Sequence, residues 1–347
     1  MAEVLAGTPR SLGYRMPAEW EPHAGTLMSW PCRAELWEDR LEQGLSEYAG
    51  VARAIAAYEP VVMACRPGQA AEVLDRCGGA VTPWEVALDD SWARDNGPVF
   101  VTDAEGRAAV VSFRFNAWGE RWHPYDSDDR LPVEVAERLG LPLFEAPMVL
   151  EGGSFFVDGE GTVLVTEQCL LSPNRNPTMT RDEIERGLCE WLGATTVLWL
   201  PYGDSADVGP AGTDGHVDGV AQYVAPGRVL LSLPADPASP EHDRSLANLE
   251  VLRTMCDAAG RLVDVVPLDP GPDATAWYAN HYLANGVVVV PVDGAPADEH
   301  ALAQIAAAYP DREVVGVPGA TIQFGGGGPH CITQQIPLGV DLSAFTS

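Results

Sequence analysis

The segment Thr321-Ile-Gln-Phe-Gly325-Gly-Gly-Gly328-Pro-His-Cys331 sets a cysteine just after four consecutive glycines. Glycine allows positive φ and close backbone approach, so the sulfur of Cys331 is placed where it could meet a ligand. A nucleophilic thiolate there would need a nearby cation or a helix N-terminus to lower its pKa. A flexible loop leading into a small buried residue is the alternative. The remaining cysteines, at 32, 65, 77, 169, 189 and 256, stand in apolar or helical contexts and read as inert packing.

Gly215-His216-Val217-Asp218-Gly219 puts a histidine and a carboxylate on one side of any extended segment, because side chains repeat with period two. The pair suits a general acid/base with a carboxylate clamp. It also fits a His-x-Asp iron triad completed by His281 or His330, or a turn holding a satisfied histidine. Trp92-Ala-Arg94-Asp95-Asn96-Gly97-Pro98 and Glu151-Gly152-Gly153 add further carboxylates beside turn residues. A buried acid costs stability unless paired, and Arg94, Arg114 or Arg175 are available as partners. Taken together, one cysteine, one histidine and three carboxylates, each beside glycine at an expected strand end, are what attack on a guanidinium carbon requires. That group is planar and permanently charged, so it must be held and polarised before it reacts. Carboxylates can grip it by bidentate hydrogen bonds, and the bound cation would favour the thiolate of Cys331.

The whole chain fits such a substrate. Its 347 residues carry 50 acidic and 21 basic side chains, a formal net charge of −29, and every basic side chain is arginine. Without lysine there is no Walker-type phosphate loop, no pyridoxal Schiff base and no lysine general base. The acidic excess argues against nucleic acid, whose binding needs basic clusters, and against an anionic membrane surface. A small cation is the natural complement. No apolar run approaches the ~18 residues of a membrane span. The N-terminus lacks a signal-peptide pattern. Seven cysteines with no C-x-x-C pair fit free thiols in a reducing cytoplasm rather than disulfides or a zinc site.

Helical periodicity marks Leu36–Ala57, Arg181–Leu192, Ser245–Ala259 and Ala297–Ala308. β-type runs lie at Val61–Ala64, Val99–Val101, Ala109–Phe113, Ser154–Val157, Val163–Thr166, Val197–Leu200, Val220–Val224, Val229–Leu233, Val287–Val292 and Glu313–Val317. Glycine turns at 103–106, 158–161, 226–227 and 284–286 join strand pairs and recur at about 60-residue intervals, as in repeat architectures. Each hairpin is followed by further chain, in most cases with a helix, and then a lone strand. Four such periods plus material from both ends predict five units, in a single α/β domain spanning 1–347.

Across nearly its whole length the chain resembles the agmatine deiminase family, which includes the Porphyromonas-type peptidylarginine deiminases. The shared motifs are Arg15–His23 through Ser29-Trp-Pro31, Asp90–Pro98, Phe115-Asn-Ala-Trp-Gly119, Ala146–Ser154, Asn174-Arg-Asn-Pro177, Gly215–Asp218 and His330–Gln335. The resemblance implies the pentein fold, a closed five-bladed αβ-propeller with pseudo-fivefold repeats and its active site on the central axis. It implies no metal and no organic cofactor. By motif position Cys331 would be the nucleophile and His216 the general acid/base. Asp95 and Asp218 would bind the guanidinium with Glu151 nearby, and Trp92, Asp214 and Gly326 would also meet substrate. The implied activity is a hydrolase acting on C–N bonds in linear amidines, converting agmatine to N-carbamoylputrescine and ammonia through an S-alkylthiouronium. A homo-oligomer is implied as well.

The family usually carries an acidic run before Thr-Asn-Gly-His, part of it recognising the distal ammonium. Here Ala211 and Gly212 replace acids, Asp214 replaces asparagine, and Gly328-Pro329 replaces Asn-Ile. Another small guanidine or peptidyl arginine is therefore the alternative substrate. An amidinotransferase, the iron oxygenase and a non-catalytic guanidine-binding protein are the rival readings.

Overall fold

The structure is a computed structural model that describes residues 1–209, 212–272 and 274–346. Each marked glycine turn joins two antiparallel strands: Val99–Thr102 with Ala108–Arg114, Phe155–Val157 with Thr162–Thr166, Ala221–Ala225 with Arg228–Ser232, and Tyr282–Ala284 with Val287–Val292. The first two turns share one device. The Oδ1 of Asp103 accepts from the amides of Glu105 and Arg107, and that of Asp158 from Glu160 and Thr162. Such local side-chain bonds stabilise a tight reversal.

From each hairpin the chain runs through a helix into a third strand parallel to the second. The helices are Asp126–Leu139, Arg181–Leu192, His242–Leu252 and Ala297–Ala308, and the third strands are Leu143–Val149, Thr196–Leu200, Asp264–Leu268 and Glu313–Pro318. Helix Arg181–Leu192 shows why the boundaries fall where they do. Thr180 and Glu183 form a reciprocal capping box, and Gly193 ends the helix at φ 70.

The remaining sheet is built from both ends of the chain. Its order is Thr333–Pro337, His23–Ser29, Val61–Cys65, Val81–Glu85, and the C-terminal strand runs antiparallel to the N-terminal one. Five small sheets result, the fivefold repeat that the period of the turns predicts. Five apolar clusters fill the junctions between successive sheets. One, for example, joins Leu27 and Val62 to Phe100 and Val110, and another joins Val287 and Val289 back to Met28 and Val61. Those junctions close the ring.

Three expectations need correction. The helix expected over Leu36–Ala57 is broken into Ala34–Trp37, a 3₁₀ turn at Glu38–Arg40, and Leu41–Ala56, because Glu38 takes φ 52. The helix expected over Ser245–Ala259 covers His242–Leu252. Beyond it Asp257 accepts the amides of Ala259 and Arg261 and turns the chain instead. Finally, strands His23–Ser29, Val81–Glu85, Leu143–Val149, Asp264–Leu268 and Thr333–Pro337, and helices Ala70–Cys77 and Asp126–Leu139, lie where no element was given bounds.

Candidate active site

One position recurs in every blade: the residues just before its first strand, at the mouth of the ring. Trp92–Asn96 precede Val99, Glu151–Ser154 precede Phe155, His216–Gly219 precede Ala221, Asn280 and His281 precede Tyr282, and His330 and Cys331 precede Thr333. Five-fold repetition therefore brings side chains far apart in sequence to one funnel. Cys331, His216, Asp218, Asn280, Gly326 and Asp204 line one pocket there. On the other side of Cys331, Trp92, Asp95, Trp118 and Trp122 wall a second, which Gly326 also lines.

Glycines let the backbone itself enter this crowded centre. A Cβ on Gly153 would lie 2.6 Å from His216 Nδ1 and 2.9 Å from both Asp218 Oδ2 and Asp95 Oδ1. Instead, the bare Gly153 amide donates to Asp95 Oδ1 at 2.9 Å. A Cβ on Gly327 would meet the Cys331 sulfur at 2.9 Å, so the glycine run gives the thiol its space.

Cys331 is buried. Asn280 Nδ2 donates to its sulfur at 3.1 Å, and Asp218 Oδ2 lies 3.4 Å from the sulfur. Burial and the charges of Asp218 and Asp95 push its pKa well above the usual thiol range, so the resting side chain is a neutral thiol. Asp218 also accepts from His330 Nδ1 at 2.8 Å, while His330 Nε2 lies 3.0 Å from Glu19 and Glu19 pairs with Arg94 at 3.0 Å. Burial alone would raise both acids. Arg94 and His330 nevertheless hold Glu19 at about 2, and His330 holds Asp218 below the usual range. This buried chain of alternating charge keeps Asp218 ionised beside the thiol.

His216 is 3% exposed, and neither ring nitrogen has a hydrogen-bond partner. It sits 3.8 Å from Asp95 and 3.8 Å from Glu151. Burial opposes its charge, but Asp95, Cys169 and Glu151 outweigh that and raise its pKa well above the ordinary value. Four backbone amides and hydroxyls around residues 213–216, including the His216 amide, donate to Asp207, which fixes the turn presenting the imidazole. Glu151, fully buried, pairs with Arg175 at 2.6 Å. Burial favours its neutral form, yet Arg175 holds its pKa down.

Asp95 differs from the other two carboxylates: among the described residues it has neither an arginine partner, as Glu151 has, nor a hydrogen-bonded histidine, as Asp218 has. Burial pushes its pKa up to about 6, against the pull of His216 and a hydrogen bond from Trp118. The Trp118 indole reaches it at 2.9 Å from a left-handed turn in which Ala117, Trp118 and Glu120 have φ 50, 57 and 60. Such strain in non-glycine residues clusters at functional sites. Trp92 stacks on Trp37 with centroids 6.1 Å apart and presents an aromatic wall beside the thiol.

Asp214 is placed differently from its expected role. Its carboxylate accepts from Arg121 at 2.5 Å, Arg175 at 2.9 Å and Asn174 at 3.0 Å, so its charge is already spent. It takes φ 67, a left-handed conformation that aspartate and asparagine tolerate better than most residues. Ala211 lies outside the described residues. At Gly212 a Cβ would come 2.0 Å from the Asp207 carbonyl oxygen, leaving this loop no room for an acid there.

The iron-triad reading fails on geometry. Both nitrogens of His330 are engaged by Asp218 and Glu19, and His281 is bonded to Tyr278 and Tyr309. Sequence reasoning also passed over Asn280, Asp207, Glu19 and Trp118. Asn280 had a usable signal, since it occupies in the fourth hairpin unit the pre-strand slot that carries chemistry in the other units. Cys169, read as inert packing, lies against His216 and Glu151.

A closed ring of five αβ units with a cysteine, a histidine and carboxylates converging at one mouth defines a guanidine-modifying enzyme of the pentein fold. The profile of the Porphyromonas-type peptidyl-arginine deiminase family matches residues 15–337, and the chain belongs to that family. An agmatine deiminase of Pseudomonas aeruginosa is 40% identical over 95% of this chain and 97% of its own length. The solved agmatine deiminase of Enterococcus faecalis superimposes with a TM-score of 0.91 at 34% identity, over 97% of this chain and 99% of that one. A cysteine-to-serine variant of the C. jejuni agmatine deiminase, solved with substrate bound, shares the fold, with a TM-score of 0.83 at 22% identity and coverage of 94% of this chain and 97% of that one. Among the described residues no helix is long and apolar enough to cross a membrane.

Proposed function

We infer that this protein is an agmatine deiminase, hydrolysing a guanidinium to a ureido group and ammonia. The observation that carries the reading is the convergence of Cys331, His216 and Asp218 on one pocket, with Asp95 across the sulfur in the adjoining one. Substrate binds with its guanidinium between Asp95 and Asp218. Its charge relieves the repulsion that keeps Cys331 protonated, and the thiol proton leaves to solvent. At ~4 Å and an effective dielectric near 20 each such pair contributes roughly 4 kcal/mol before desolvation.

The thiolate then adds to the guanidinium carbon. The imidazolium of His216 gives its proton to the departing nitrogen, ammonia leaves, and an S-alkylthiouronium remains on Cys331. Neutral His216 takes a proton from water, and the hydroxide adds to the same carbon. The C–S bond breaks as the hydroxyl proton is lost, which frees the ureido product and the thiolate. Asn280 Nδ2, already 3.1 Å from the sulfur, stabilises that thiolate. Glu151, held by Arg175, keeps the imidazole protonated for the first step. The protein works as a single catalytic domain, and Trp92 and Gly326 border the substrate.

The substrate tail has its own counter-charge. Asp204 lines the pocket of Cys331 and also a cavity of about 400 Å³ that contains Glu241 and Trp277. Burial and the nearby charge of Glu241 raise Asp204 to about 6, so a primary ammonium there removes an unfavourable repulsion. Asp204 thereby takes the part that residues 211 and 212 cannot play. The test compares agmatine with butylguanidine, which lacks the amine, using ureido-product detection. The expected result is hydrolysis of both with a preference for agmatine of about tenfold or more, as a hydrogen-bonded charge pair supplies. Hydrolysis with no preference would move the assignment to another small guanidine, and release of no ureido product would refute the deiminase.

A further inference from the structure

Behind the face of His216 that looks onto the pocket, one ligand atom each from Glu151, Cys169 and His216 lie within 4.8 Å of one another. These residues are 0%, 0% and 3% exposed. The catalytic reading uses the first and last and leaves the thiol unexplained. Four of the polar atoms here, both imidazole nitrogens and both Glu151 oxygens, have no hydrogen-bond partner. Arg175 lies 2.6 Å from Glu151 Oε1 and supplies charge, and the other oxygen stands 3.8 Å from His216 Nε2. The Cys169 sulfur makes a long contact, 3.7 Å, to the Thr213 carbonyl and faces His216. Buried polar atoms left in this state mark a place where something else can satisfy them.

Thiolate, imidazole and carboxylate are the three donor types that zinc prefers, at about 2.3, 2.0 and 2.0–2.2 Å. A tetrahedron with those arms has donors roughly 3.3–3.7 Å apart, so the present spacing must close by about an ångström or less. We propose that Glu151, Cys169 and His216 form an inhibitory site for a thiophilic divalent cation of the zinc class, which switches the enzyme off by capturing its acid/base. Coordination displaces the Cys169 thiol proton and the proton carried by His216, and both leave to solvent. A dication replaces two protons, so the local charge is unchanged and Arg175 keeps its place beside Glu151. Water takes the fourth position. Occupancy removes the proton donor for ammonia release, so the ion competes with turnover rather than supporting it. Nothing in this proposal depends on which guanidine is the substrate.

The test uses the full-length chain freed of metal by chelator. Zinc in the micromolar range is expected to inhibit, and Cys169→Ser to raise the inhibitory concentration at least about tenfold, the size seen when one supporting group of a metal site is lost. Each protein's activity with zinc is read relative to its own metal-free activity, so a change in basal rate does not enter the comparison. Cobalt is the spectroscopic probe. Its thiolate charge-transfer band in the near ultraviolet should persist in Cys331→Ser and vanish in Cys169→Ser. A band that vanishes in Cys331→Ser would put the ion on the nucleophile and overturn the assignment, as would the absence of any band at saturating cobalt. Should Cys169→Ser fail to fold, the Cys331→Ser spectrum decides alone.

Discussion

Around Cys331 two of the three carboxylates are tied to cations, whereas around Asp204 like charges face one another. Asp218 is bonded to His330 and Glu151 to Arg175 at 2.8 and 2.6 Å. At the other end of the pocket Asp204 feels Glu241 and Asp207, and Arg244, which partly offsets them, stands 3.5 Å from Glu241. The reaction end is thus preorganised before substrate arrives, which is where fixed electrostatics act most strongly. The tail end stays short of positive charge until an ammonium enters.

Replacing His216 tests the reaction end most severely. His216→Ala should lower kcat by about 10²–10⁴-fold, the usual worth of a positioned acid/base, with ammonia release as the step that slows. A loss under tenfold would show that another group moves the proton. Glu19→Gln attacks the buried relay behind Asp218. It leaves Arg94 and His330 facing a neutral amide, so urea denaturation should show a loss of about 3–5 kcal/mol. An unchanged midpoint would mean that the relay is not a source of stability.

At the tail end the effects should be smaller and selective. Asp204→Asn should reduce kcat/KM for agmatine by about tenfold and leave butylguanidine unaffected. Equal losses on both substrates would return Asp204 to a structural role. The smallest effect concerns Asp95, whose raised pKa of about 6 means that it loses its charge as pH falls through that value. The acid limb of kcat/KM, which reports the free enzyme, should lie near it. Trp118→Phe removes a bond that favours the ionised form, so the limb should move to higher pH. A limb that stays put or moves down would show that Asp95 does not govern it.

The hairpin frame was legible because its turns are local: Asp103–Gly106 and Asp158–Gly161 close themselves with their own side chains. Strand Thr333–Pro337 was not. Its first three residues, Thr333, Gln334 and Gln335, are polar yet the whole strand is buried, since it pairs with a strand about three hundred residues earlier, and no local pattern records that. Leu143–Val149 was hidden in the same way by Glu145 and Pro147. Helix Asp126–Leu139 opens on acids and contains Pro132, which masks its period although proline is tolerated when neighbouring packing supports the backbone. In the site, Cys331, His216, Asp95, Glu151 and Asp218 stood out because each is a reactive type beside glycine. Glu19 and Asp207 did not, because their roles exist only through partners brought in by folding. Asp214 misled for the opposite reason, as its partners consume the charge that the sequence seemed to offer.

The central claim is that Cys331 is the nucleophile of the funnel. Rapid acid quench of the wild-type chain turning over agmatine, followed by peptide mass spectrometry, measures it directly. The account predicts a gain equal to the substrate less ammonia, on the peptide containing Cys331 and absent in Cys331→Ala. Turnover with no adduct, or an adduct on Cys169 instead, would contradict it.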